Sequence, residues 1–176
     1  MCRFHAKTLY EIPIMQDLEY YLRLDCHSYI TKPVPYDLFK NMKDKGLLYL
    51  YPCMRPDAAR CVKHLWQAVK TFIDVKHIQP EFFKELQNNL MFYNNFEMAR
   101  TDIFRSKGYL NYINYLDQLG GTYLSRWGDA PIKSLAVSIF VPRNKTKRIS
   151  DVNYSHRGDV LTKGTESNAT LDGCGA

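Results

Sequence analysis

Short apolar, aromatic runs alternate along this chain with segments of helical period. That alternation confines it to the α/β class, in which helices cover a sheet. Residues 18–24 (LEYYLRL), 47–51 and 90–96 (LMFYNNF) read as buried strands, the last running into Glu97, and 122–124 as a short one. Segments 36–43, 57–73, 80–88, 101–119 and 130–140 read as helices. The clearest, 57–73, sets Ala58, Cys61, Val62, Leu65, Val69, Phe72 and Ile73 at helical spacing, with Pro56 suited to the first turn. Segment 101–119 carries an apolar face of Ile103, Phe104, Leu110, Ile113 and Leu116 and is stopped by Gly120 and Gly121. Past residue 157 the chain is rich in Gly, Ser and Thr without period. The expectation is therefore one domain over 1–157 and a flexible tail over 158–176.

Composition narrows the function classes. With 45% hydrophobic and 24% charged residues the chain is globular rather than disordered. No apolar run approaches the roughly 18 residues of a membrane span, and no signal-peptide core follows Met1. The 13 Tyr and 9 Phe fit an aromatic core and its rim, or a carbohydrate or nucleic-acid surface. The net charge is +6, and six bases against two acids lie between Arg143 and Lys163. Such a segment suits an anionic partner as well as it suits a solvated loop. The bases gather in one loop and no nucleic-acid motif accompanies them, so a nucleic-acid partner is not expected. None of the five cysteines forms a CxxC pair, which argues against zinc. Sequons at Asn144, Asn153 and Asn168 lean toward a secretory compartment.

Ligands in open α/β sheets gather at the carboxyl ends of strands. Asp25 follows the first strand, Glu97 the third, Asp129 lies in a Trp-Gly-Asp-Ala-Pro turn, and His156 follows Tyr154 and Ser155. Carboxylates with one imidazole suit a divalent cation and a sugar-transfer centre. Each residue also has a plainer reading. Asp25 fits a strand-end turn, Asp129 a helix N-cap and His156 an exposed loop, whereas a carboxylate among apolar residues, as at Glu97, is costly.

Asn95-Phe96-Glu97, Phe104-Arg105-Ser106, Tyr115-Leu116-Asp117, Gly120-Gly121 and Arg126-Trp127-Gly128-Asp129-Ala130-Pro131 occur in that order. Outside them stand Met1-Cys2-Arg3-Phe4, Tyr20-Tyr21-Leu22-Arg23-Leu24-Asp25, Leu65-Trp66 with Phe72-Ile73, and Asp151-Val152-Asn153-Tyr154-Ser155-His156. This series resembles the fungal-type α-1,2-mannosyltransferases of glycosyltransferase family 15 over residues 1–157.

The resemblance implies a GT-A fold, a GDP-mannose donor and a divalent cation, usually Mn2+. It implies transfer with retention onto a mannose hydroxyl of a glycoprotein or glycolipid glycan, by Golgi enzymes held through an N-terminal membrane helix. Residue by residue it implies Asp25 and His156 as metal ligands, Arg23, Asp25 and Trp127 on the donor side, Glu97 beneath the donor anomeric carbon and Asp129 beside the reacting sugars. Glu97 would either form a covalent mannosyl intermediate or steady an oxocarbenium-like centre while the acceptor attacks from the same face.

The chain departs from the family at several places. Asp25-Cys26 stands for Glu-Pro, His27 for the second Asp of a DxD motif, Met91-Phe92-Tyr93 for His-Phe-Trp, and Asn153 for Gly. Little chain precedes Asp25, so the resemblance implies the C-terminal part of such a catalytic domain. The alternative is a non-catalytic remnant or glycan-binding fragment of that fold.

Overall fold

The structure, a computed structural model, describes residues 1–161; the tail expected from residue 158 begins instead with a strand, Asp159–Leu161, and the rest of it, from residue 162, lies outside the described residues. The chain runs α1 (Cys2–Ala6), α2 (Pro13–Gln16), β1 (Tyr20–Leu24), β2 (Ser28–Ile30), α3 (Leu38–Asp44), β3 (Tyr49–Tyr51), β4 (Met54–Pro56), α4 (Leu65–Val75), β5 (Leu90–Phe92) and β6 (Phe96–Arg100). It continues through α5 (Lys107–Gln118), α6 (Gly121–Leu124), α7 (Asp129–Phe140), β7 (Thr146–Arg148), β8 (Tyr154–His156) and β9 (Asp159–Leu161). A four-stranded sheet has the order β1-β6-β3-β7, antiparallel except for β3 with β7. The strands β2-β8-β9 form a second sheet, and β4 pairs with β5.

The side-chain period of two divides the main sheet into two faces. Cross-strand partners point the same way. The pairs Arg23↔Glu97, Tyr21↔Ala99 and Tyr49↔Ala99 therefore mark one face, while Leu22↔Met98 and Leu50↔Met98 mark the other. The first face packs under α4, α5 and α7 in the larger core, with Tyr21, Tyr49, Val69, Phe72, Tyr112 and Ala136. The second meets α3 through Met42 in a smaller core that also holds Phe96, Val152 and Tyr154. Helix α7 is covered from Pro131 to Ile139, and its two serines settle locally. Ser134 Oγ accepts from Phe92 N at 2.8 Å and donates to Ala130 O, while Ser138 Oγ donates to Leu135 O. The abundant tyrosines largely belong to the core, where their hydroxyls find partners. Tyr109 donates to Ala6 O at 2.5 Å and Tyr112 to Ile132 O at 2.9 Å.

Several sequence expectations need correction. The run 90–96 is not one strand: it breaks over residues 93–95, and the new strand β6 carries Glu97 within it rather than at its end. Burial explains the misreading, because β6 lies between β1 and β3 and its residues through Ala99 are all covered, so no polar alternation marks it. The helix expected over 57–73 begins only at Leu65, because His64 adopts a left-handed φ of 63°. Segment 101–119 opens with a 3-10 turn, and α5 starts after Ser106, whose hydroxyl caps Tyr109 N at 3.1 Å. Segment 80–88 holds only a 3-10 turn, Phe83–Leu86, and the expected strand 122–124 is helical.

Candidate active site

Arg23 is the hub. Its Nε donates to Asp25 Oδ1 at 2.8 Å and its Nη1 to Asp129 Oδ2 at 2.5 Å. Asn94 Nδ2 donates to the same Asp129 oxygen at 2.8 Å. Two acids distant in sequence are thereby gathered at one end of the β1–β6 pair. Asp129 does not cap its helix: Gly128 is the N-cap, and the carboxylate is committed to Arg23 and Asn94. Burial alone would push Asp129 up; the Arg23 guanidinium outweighs it and holds the carboxyl below its usual range. Burial likewise opposes the charge on Arg23, and Asp129 and Asp25 more than compensate, raising it.

Glu97 lies behind this hub, directly across the ladder from Arg23. It is 0% exposed. Tyr21 donates to its Oε1 at 2.5 Å, Tyr49 donates to its Oε2 at 2.7 Å, and Lys133 Nζ also binds Oε1. Tyr21's own oxygen accepts from Lys133 at 3.0 Å and lies 2.9 Å from the Tyr10 hydroxyl. The Lys133 ammonium faces the rings of Phe104, Tyr10 and Tyr21 at 4.7, 5.4 and 5.5 Å. Burial first, and then the Glu97 charge, push the Tyr21 and Tyr49 hydroxyls well up, so both remain donors. Burial lowers Lys133, with Glu97 and Asp129 opposing. The expected attacking carboxylate is thus an enclosed one, with protein donors on both oxygens.

Asp25 and His156 are brought to one end of the second sheet. Ser28 N donates to Asp25 O at 3.2 Å, and Ser28 is the cross-strand partner of His156. The Asp25 charge is felt at Tyr154, in the same strand as His156. Tyr93 OH lies 3.0 Å from His156 Nδ1. Arg55 in turn covers the Tyr93 ring at 4.6 Å. An aspartate oxygen and an imidazole nitrogen are a donor set that would suit Mn2+. Among the described residues no cluster of three or more His, Cys, Asp or Glu ligands occurs. Asn95, 4% exposed, leaves its amide nitrogen and oxygen without hydrogen-bond partners beside Asp25, whose N–H its carbonyl accepts at 2.9 Å. Buried orphans of this kind suit a polar ligand or water.

Trp127 is placed differently from the donor-side role expected of it. It is 4% exposed, its Nε1 donates to Lys63 O at 2.8 Å, and its ring lies on Gly121. It braces the turn that presents Asp129 and offers no ring face to a nucleotide. Sequence reasoning missed Lys133, Asn94, Asn95 and Tyr93. It also missed His5, whose burial and nearness to Arg23 lower its imidazole, and Asp57, raised by burial and then by Asp129. Asp57 follows the β4–β5 pair and reaches the Gly128 turn. Only the Asn-Asn pair ahead of Glu97 could have drawn attention, as polar residues interrupting an apolar run.

Comparison with known proteins identifies the family and the fold. The family model for glycolipid 2-alpha-mannosyltransferase matches residues 1–170. Glycolipid 2-alpha-mannosyltransferase 1 of Candida albicans is 33% identical, over 89% of this chain and 38% of its own length. Alpha-1,2 mannosyltransferase KTR1 of Saccharomyces cerevisiae is 31% identical, over 89% of this chain and 42% of its own. Among solved structures, core-mannan synthase A (CmsA/Ktr4) of Aspergillus fumigatus, in a Mn/GDP form, superposes with a TM-score of 0.86. It is 26% identical, covering all of this chain and 53% of that one. The S. cerevisiae mannosyltransferase Ktr4p in complex with GDP gives 0.85 at 26% identity, covering 99% and 49%. The chain spans about two fifths of the length of these curated relatives. The fold is of the expected α/β, GT-A type.

Proposed function

Because the chain belongs to the glycolipid 2-alpha-mannosyltransferase family, we propose that it carries reaction-centre residues of a retaining α-1,2-mannosyltransferase. The donor is GDP-mannose, and the acceptor is a mannose hydroxyl of a glycoprotein or glycolipid glycan. The observation that supports this reading is the Arg23 bridge, which joins Asp25 to Asp129; we read Asp25 as facing the diphosphate and Asp129 as facing the acceptor.

Asp25 and His156 would hold a divalent cation, which when bound neutralises charge on the departing diphosphate. Asp129, held below its usual range, is a poor base and a good hydrogen-bond acceptor, so its task is to orient the acceptor hydroxyl. The bond from mannose C1 to the diphosphate oxygen breaks. The acceptor oxygen bonds C1 on the same face, and its proton passes to the departing phosphate oxygen. Glu97, enclosed by Tyr21, Tyr49 and Lys133, takes no bond to the sugar, which favours the front-face route over a covalent intermediate. The setting is the Golgi lumen. Among the described residues no helix is long and apolar enough to cross a membrane.

The test is transfer by the purified full-length protein from GDP-mannose and Mn2+ to methyl α-mannoside, with linkage and anomer read by NMR. An α-1,2-linked product is expected, and Asp129→Asn should lower turnover by roughly 10²-fold. Mannoside binding with no turnover of GDP-mannose would refute the reading in favour of a glycan-binding fragment.

A further inference from the structure

Two ion pairs cross the same interface between the main sheet and α7. Arg23 meets Asp129, and Glu97 meets Lys133, which lies fully buried. Arg23 and Glu97 are direct cross-strand partners on β1 and β6. Asp129 and Lys133 lie one turn apart on α7. The signs therefore alternate: the sheet presents a cation beside an anion, and the helix presents an anion beside a cation.

A buried ion pair is seldom retained for stability, since apolar residues of similar volume serve as well or better. What charges add is a preference for one arrangement over another. If Lys133 were absent, Glu97 would face the cation directly across the ladder, Arg23, and would compete with Asp129 for it. If Glu97 were absent, Lys133 would face the anion one turn back, Asp129, and would compete with Arg23 for that. The interior's low dielectric makes such competition strong, and both Asp129 and Arg23 already act on Lys133. The remaining groups around the pair hold it in place. Tyr21 and Tyr49 donate to Glu97, Tyr10 lies hydrogen-bonded to Tyr21, and Phe104 faces the ammonium.

We propose that Glu97 and Lys133 are a positioning pair: each removes the other from competition for the Arg23–Asp129 bridge, and together they fix Asp129 in its place. Lys133 is thus a residue on which turnover depends without touching substrate. The inference rests on the reading that Asp129 meets the acceptor, and it replaces the idea of Glu97 as an attacking group.

The experiment compares Lys133→Met, Glu97→Gln and the double variant in the full-length protein. Turnover is measured per folded molecule, well below each variant's melting temperature. Each single variant should lose about 10–100-fold in kcat, because a misplaced group costs rate. The double variant has no competing charge left and should return to within about 5-fold of wild-type kcat. Wild-type kcat in folded Lys133→Met would overturn the proposal and leave the pair a purely structural one. A folded double variant as slow as Glu97→Gln would also overturn it, by showing that Glu97 acts on the sugar itself. If a single variant does not fold, the double variant decides alone; its own failure to fold counts against the proposal. A wild-type protein without transferase activity would refute the function and not the pairing. The pairing is then read from a crystal structure of Lys133→Met, in which Arg23 should turn from Asp129 to Glu97; an unmoved Arg23 would overturn it.

Discussion

Replacing Gly121 by Ala tests the reassignment of Trp127 from nucleotide contact to brace. A Cβ at position 121 would lie 2.2 Å from Trp127 Cδ2 and Cε3 and 2.4 Å from Cε2. Carbon atoms without a bond between them need about 3.5 Å, so the ring must retreat by more than 1 Å. It has nowhere easy to go, being 4% exposed and tethered by its Nε1 hydrogen bond to Lys63 O. Overpacking of this kind costs about 1–3 kcal/mol, and losing the indole hydrogen bond adds about 1 kcal/mol. A total of about 2–4 kcal/mol corresponds to a fall in Tm of roughly 5–15 °C for a chain of this size. Scanning calorimetry measures it. The same substitution in a Trp127→Leu background should cost less than about 1 kcal/mol, because the atoms it strikes are gone. A Gly121→Ala variant melting within a degree of wild type would refute the close packing of ring on glycine, and with it the bracing role.

Two further outcomes follow from the electrostatics. The Arg3 hydrogen bond, opposed by burial and reinforced by Lys7, holds the Asp117 carboxyl down at about 2. A depressed carboxyl adds stability above its unfolded value near 4 and loses it as pH falls through its folded value. Asp117→Asn should therefore cost about 1–2 kcal/mol in urea melts at pH 7, after allowance for partial exposure, and no more than about 0.4 kcal/mol at pH 2, where the folded carboxyl is half protonated. An equal cost at both pH values would refute the pairing. His156→Gln should weaken Mn2+ binding at least about 10-fold, read from the free-ion EPR signal. An unchanged affinity would remove His156 from the metal site.

The legibility of the site depended on where each residue lies. Asp25 and Asp129 stand out in the sequence at a strand end and a Gly-Asp-Ala-Pro turn, though only the family resemblance gives them roles, and both meet at Arg23. Lys133 was not readable. It interrupts an apolar helical run, and a lysine there reads as the solvent edge of the helix unless its partner is known. That partner, Glu97, was itself misplaced, since a fully covered central strand lacks the alternation that would have marked its register. The brace at Trp127 failed for a related reason. An aromatic beside an acidic turn looks like a ligand platform, and only the glycine beneath its ring shows otherwise.

Two charged groups, Glu97 and Lys133, sit inside the larger core with the tyrosines that bind them. An isolated buried carboxylate or ammonium costs several kcal/mol, and a half-satisfied network is worse than an apolar one. Here the network closes on itself. Tyr10 reaches Tyr21, Tyr21 and Tyr49 reach Glu97, Glu97 reaches Lys133, and Lys133 returns to Tyr21. These groups come from β1, β3, β6, α7 and the segment before α2, so satisfying one of them fixes the others. A purely apolar interface would hold α7 by shape alone, since the hydrophobic effect has no direction. The charged one adds a directional requirement, which is met when Asp129 faces Arg23 and Lys133 faces Glu97. Because Asp129 opens the same helix that Lys133 anchors one turn later, the geometry of the candidate reaction centre is set from inside the core rather than from the loops around it.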